Sequence, residues 1–288
     1  MGRYSWLLIF FLGTGRCFAQ ISVTAGYARE DFHWSIAGNS AGQDPNVYSE
    51  LKWRNAGGFF TRIDGQWAVW KRWRVIADAS RTFFSSGSMT DMDYGLDNRH
   101  DVLYDQRFPV TGGYSEAGSA GIGYVVFDSR RFGLTSYAGY GVSKQYFPVT
   151  DPGGPFDGLN SSYAGKWLGP FVKMAGSWKV AGRWGVAAGL RYDQVVYRGV
   201  ANWNLIADFS HPVSFRHRAD GYGVTGNVGV DYRVSRRLAL SLRGDYFGWE
   251  TGTGIDELYL AAGGTQQTQL NGVFRTGFDG GLTASWRF

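Results

Sequence analysis

The chain from Leu270 to Phe288 alternates in a way that only a β-strand uses. Phe274, Thr276, Phe278, Gly280, Leu282, Ala284, Trp286 and Phe288 fall on one face. Arg275, Asp279, Thr283, Ser285 and Arg287 fall on the other. A soluble domain has little reason to finish such a strand on a bare Phe. A barrel in a membrane does, because its closing strand keeps one face in lipid and the other toward a polar lumen. The expectation is an all-β fold, a ten-stranded antiparallel transmembrane β-barrel projecting above the outer membrane.

The rest of the chain has the matching rhythm. Candidate strands come in pairs joined by tight turns and separated by long loops. They run over Ile21 to Trp34, Asn46 to Val69, Trp73 to Ser85, Ser115 to Phe127, Phe132 to Phe147, Tyr163 to Val180, Trp184 to Val200, Gly221 to Val234, Leu238 to Trp249 and Leu270 to Phe288. Ten is an even count, as bacterial single-chain barrels require. In Gram-negative barrels the tight turns face the periplasm, so the long loops should be extracellular. Several strands exceed the ~9–11 residues that span a bilayer. The surplus should form an extracellular rim able to hold a cleft.

The N-terminus points to the same compartment. Arg3, the apolar run Trp6 to Leu12 and the segment Cys17-Phe18-Ala19 have the layout of a secretory signal peptide. The expected division is a signal peptide over residues 1–19 and a single outer-membrane barrel domain over residues 20–288. Cleavage would remove the one cysteine and leave no disulfide chemistry. It would also lower the formal charge from +5 to +3, which is no signature of a nucleic-acid partner. No window from Gln20 onward has the ~18 apolar residues of a membrane helix. Forty-three glycines and the many Trp, Tyr and Phe suit strands that pack closely and meet an interface. No metal-ligand cluster, phosphate loop or Ser-His-Asp arrangement stands out, so no cofactor is expected.

One pattern carries chemistry. Asp91 and Asp93 lie two apart in Ser88-Met89-Thr90-Asp91-Met92-Asp93-Tyr94, so an extended backbone puts both on one face. Two close carboxylates repel, and one is pushed toward keeping its proton near neutral pH. Such a pair can bind and orient an attacking water, though D-x-D is also common in ordinary polar loops. The surrounding residues favour the chemical reading. Tyr48-Ser49-Glu50-Leu51-Lys52-Trp53, the stretch around the Asp pair, Asn98-Arg99-His100, Ala138-Gly139-Tyr140 and Lys166-Trp167-Leu168-Gly169-Pro170 together resemble the omptins. These are ten-stranded outer-membrane endopeptidases of aspartic type, in which an Asp pair faces an Asp-His pair across an extracellular groove. The resemblance runs over essentially the whole expected mature chain. It implies a hydrolase acting on peptide or protein substrates, with Asp91 and Asp93 as the first catalytic pair.

The second half of the site departs from the family. The omptin Asp-x-His beyond the seventh strand aligns with Asn202-Trp203-Asn204, and Asn cannot take a proton from water. Asp208 with His211 is the leading replacement, with His211 as base. His217 with Asp220, and Asp31 with His33, are further candidates. The remaining alternative is that no working dyad exists. Glu30 shares the lumen parity of Ser22 and Thr24 and resembles the family's substrate-binding acid at the groove floor. A second acid that selects a basic residue aligns with Val200. Omptins also require lipopolysaccharide, and Tyr140, Lys144 and Lys166 fall near the positions that bind it. An interfacial Tyr with snorkelling lysines is the plainer reading of those three. Two functions therefore stay open. One is an omptin-like endopeptidase. The other is an inactive barrel serving as adhesin, surface-binding protein or small-solute porin. In either case the partners expected are outer-membrane lipid and lipopolysaccharide, with no nucleic acid.

Overall fold

A computed structural model describes residues 19–288. All but the last residue of the expected signal peptide lies outside these residues. Among these described residues there are twelve strands. They are β1 (Ala19–Ile36), β2 (Ser49–Trp70), β3 (Trp73–Leu96), β4 (His100–Pro109), β5 (Tyr114–Asp128) and β6 (Phe132–Thr150), then β7 (Asn160–Ala181), β8 (Trp184–Asn202), β9 (Phe215–Arg233), β10 (Leu238–Thr251), β11 (Gly254–Tyr259) and β12 (Thr265–Arg287). Ten of them form an antiparallel ring in chain order, which β1 closes by pairing with β12 from Gln20↔Arg287 to Ile36↔Leu270. β4 folds back on the top of β3, and β11 bridges β12 and β9 above the end of β10.

The ten staves follow the alternation in the sequence. On β12, Phe278, Leu282, Trp286 and Phe288 are exposed, while Arg275, Thr283 and Ser285 are buried in the lumen. On β9, Tyr222, Val224, Val228 and Val230 face out. In a barrel such outward apolar positions are the lipid face. Two long loops expected from the sequence are in fact largely strand. β3 runs on to Leu96 and returns as β4, and the last loop contains β11. β9 likewise begins at Phe215 rather than Gly221. Above the membrane both faces of the wall meet water or protein, so the apolar/polar period that marks a lipid-spanning strand fades. Backbone hydrogen bonds keep the wall regular without it.

The lumen changes character along its axis. Through the middle of the barrel it is polar and charge-paired. Arg62 bridges Asp245 and Asp279, and Arg191 grips Asp193 at 2.7 Å. Further up, Arg275 meets Glu30 at 2.6 Å and takes Ser115 and Ser143 as acceptors at 2.8 and 2.9 Å. A cavity of about 140 Å³ lies among these groups. Above it the barrel is filled by a packed aromatic cluster. Phe32 sits 5.5 Å from both Trp53 and Phe147, Trp34 lies 5.5 Å from Tyr163, and Trp167 lies 4.6 Å from Tyr197. Every one of these rings is fully or almost fully buried. The main apolar core of the molecule is thus a plug near the loop end, not a layer at mid-membrane.

Candidate functional site

Asp91 and Asp93 stand near the top of β3, directly opposite Leu51 and Ser49 of β2 and Gln106 and Tyr104 of β4. They share the inward parity of buried Met89, at the upper margin of the plug. Burial pushes the Asp91 carboxyl up to about 7, and the Asp93 charge adds to the effect. The Trp203 side chain, its hydrogen-bonding neighbour, opposes the shift. Asp93 is also raised by burial, against the pull of Ser49. Tyr104 is pushed up to about 12, first by burial and then by the two carboxylates. The pair therefore holds a proton close to neutrality, as two crowded carboxylates should.

The side chain beside Asp91 is an indole, that of Trp203. Asn202 and Asn204, on either side of Trp203, are both engaged in the wall. Asn204 accepts from the Asn160 backbone and the Ser161 hydroxyl at 2.8 and 3.0 Å and donates to the Gly158 carbonyl at 2.9 Å. Asn202 is hydrogen-bonded to Nδ1 of His211 at 3.0 Å. Strand alternation sets Asn202 on the opposite face from buried Ala201, so this contact belongs to the outer side of the rim.

The other sequence-derived residues take varied places. His211 is exposed, and Asn202 rather than Asp208 is its hydrogen-bonding partner. Asp208 is exposed on the same loop, where its carbonyl accepts from the Ala261 amide at 2.9 Å. His33 points outward and stacks on Phe274 at 4.6 Å. His217 is fully buried and partnered by a residue other than Asp220. Its Nδ1 is hydrogen-bonded to the Tyr163 hydroxyl at 2.8 Å. Its Nε2 lies 3.1 Å from Oδ1 of Asp256, close enough for an ion pair but not aligned as a hydrogen bond. Tyr163 in turn meets the Tyr197 hydroxyl at 2.6 Å. Among the described residues no histidine makes a hydrogen bond, ion pair or ring contact with Asp91 or Asp93.

Glu30 does face the lumen and is buried, but Arg275 holds its Oε2. Val200 faces out, 38% exposed. Tyr140, Lys144 and Lys166 all lie on the outer wall, where Lys144 and Lys166 are direct register partners. The sequence reading missed the indole beside Asp91 and the His217–Asp256 contact. The second joins register partners of β9 and β11 that are far apart in the chain. Only strand pairing reveals it, and β11 carries no membrane-type alternation to announce a strand.

A family profile described as "Pom: Protochlamydia outer membrane protein" matches residues 22–277. The chain belongs to the Pom family. No curated protein matches it in sequence. The fold of this Pom barrel is similar to that of the outer membrane protease OmpT from Escherichia coli, with a TM-score of 0.76 at 15% identity, covering 94% of this chain and 97% of OmpT. So distant an identity shows the fold and nothing about activity. The outer membrane protein OprG from Pseudomonas aeruginosa superimposes less well, with a TM-score of 0.40 at 12% identity over 93% of this chain and 95% of OprG. Family and fold together place this Pom protein in the outer membrane.

Proposed function

We propose that this Pom protein is a non-proteolytic surface barrel. It keeps an omptin-like frame and uses its loop end to bind rather than to cut. The observation that carries this reading is the commitment of Asn202 and Asn204 to wall hydrogen bonds with Trp203 set against Asp91. Water activation by the omptin route needs a proton acceptor across from the Asp pair, within reach of one water. The residues aligned there lack a base, and their side chains serve the loops. The plug beneath argues equally against free passage of hydrated solutes, since a solute entering from the loops would meet packed aromatic rings.

The endopeptidase reading has one observation in its favour. Burial, and after it the Asp93 charge, pushes the Asp91 carboxyl up to about 7, so that the pair holds a proton near neutrality as an acid–base carboxyl pair does. A peptide-library cleavage assay on the refolded barrel with lipopolysaccharide separates the two. No product beyond that of Asp91→Ala is expected. Product formed by the wild type and lost in Asp91→Ala would establish the peptidase.

Two further readings accompany this proposal. Residues 1–19 serve as a signal peptide. Lipopolysaccharide rests on the outer wall at Tyr140, Lys144 and Lys166. Those lysines belong to a row of direct register partners running from Arg81 through Glu116, Lys144, Lys166 and Arg198 to Arg218. Five cations and one acid in that row suit a phosphorylated lipid.

A further inference from the structure

The tight-turn end of the barrel is built differently from the loop end. Its four turns carry the exposed cations Arg72, Arg130, Arg131, Arg183, Arg236 and Arg237, spread around the circumference between consecutive hairpins. Lys71 joins them, its ammonium 4.8 Å from the Trp70 ring. The turns themselves contain no acid, and Asp128, the last residue of β5, is the one acid directly beside them. Among the described residues, none of these cations has a carboxylate within ion-pair distance. Arg62, Arg191 and Arg275 inside the lumen are the opposite case, each locked to an acid.

The cations do not stand alone. One residue away, on the lipid face, Trp70, Trp73, Phe132 and Trp184 are exposed, and Phe127 lies three residues before Arg130. Trp178 and Trp286 extend the same girdle. Aromatic side chains of this kind sit at the headgroup level of a bilayer. A cation one residue further toward the turn then lies at the height of lipid phosphates. An arginine without a carboxylate partner keeps most of its donors for a phosphate oxygen; of these, Arg183 spends one on the Val234 carbonyl at 3.4 Å.

We propose that the periplasmic turns form a ring-shaped binding surface for anionic phospholipid headgroups. The partner is the leaflet that meets the turns. Its phosphates complete the charge that the protein leaves unpaired. The ring selects phosphatidylglycerol-type lipid over zwitterionic lipid from its immediate annulus, and the attraction is screened by salt.

The girdle supplies its own reporter. Trp70, Trp73, Trp178, Trp184 and Trp286 face lipid, whereas Trp34, Trp53 and Trp167 are buried in the plug. The test is quenching of Trp fluorescence by brominated phosphatidylglycerol against brominated phosphatidylcholine, with the folded barrel in mixed vesicles. Expected is a roughly fivefold preference for the anionic lipid at low salt, falling as salt is raised. The combined variant Lys71→Gln, Arg72→Gln, Arg130→Gln, Arg131→Gln, Arg183→Gln, Arg236→Gln, Arg237→Gln should bring the ratio close to one while retaining the heat-modifiable gel migration of a folded barrel. The corresponding Glu variant should invert the preference. Equal quenching of the wild type by the two lipids would overturn the proposal. So would a preference that survives in the Gln variant. Absence of lipid preference together with turn-dependent pelleting on purified cell-wall sacculi would overturn it in favour of a cell-wall partner.

Discussion

A buried carboxyl that keeps its proton up to neutrality leaves a mark on stability. The Asp91 group rises from an ordinary 3.8 to about 7 in the folded barrel. Between those values the folded chain holds the proton and the unfolded chain has released it. Stability therefore falls as pH rises through this window and levels off above about 7. Asp91→Asn removes the linkage. Urea unfolding at acid and at mildly alkaline pH should show the wild type losing more stability with rising pH than the variant, which keeps only the smaller linkage of Asp93. The gain for the variant at the alkaline end has a ceiling of roughly 4 kcal/mol. Glu30 gives the opposite lesson. It is one half of a buried pair with Arg275, and Glu30→Ala strands the guanidinium in the lumen. A loss of about 3–5 kcal/mol in the same unfolding measurement is expected. The sequence placed both side chains on the correct face, because strand parity is a local property. It could not reveal that Arg275 would occupy Glu30, or that Trp203 would turn to Asp91. Those contacts join residues brought together only by closing the ring.

At the scale of elements, the extramembrane wall depends on two short additions, β4 and β11. β11 is held to β9 by register pairs from Ile255↔Arg218 to Leu258↔Phe215. The buried contact between His217 and Asp256 lies inside that register, and Thr268 on β12 donates to Asp256 at 3.0 Å. Asp256→Ala leaves a buried imidazole edge and a hydroxyl without this carboxylate, at a cost of about 1–3 kcal/mol. Hydrogen exchange should report the loss as faster exchange over residues 254–259, with the membrane staves unchanged. The staves themselves were legible in the sequence because lipid on one side and polar lumen on the other impose a two-residue period. β4 and β11 were not. Their outer faces meet water, and charged residues such as Asp105 and Glu257 read as loop even where the backbone is paired.

At the scale of the molecule, the decisive feature is where the apolar mass sits. Fully buried rings from β1, β2, β6, β7 and β8 fill the lumen near the loops, and Trp203 caps them at the Asp pair. An open channel needs space where this plug stands. The alternation in the sequence predicted the barrel, yet gave no warning that Phe32, Trp53, Tyr163 and Tyr197 would converge, since each alone reads as an inward residue of its own strand. The most direct measurement is single-channel recording of the folded protein in a planar bilayer, with heat-modifiable migration confirming that the inserted material is folded. Expected are insertions without steady conductance. Regular ohmic steps from the wild-type barrel would show an open lumen and contradict the plug.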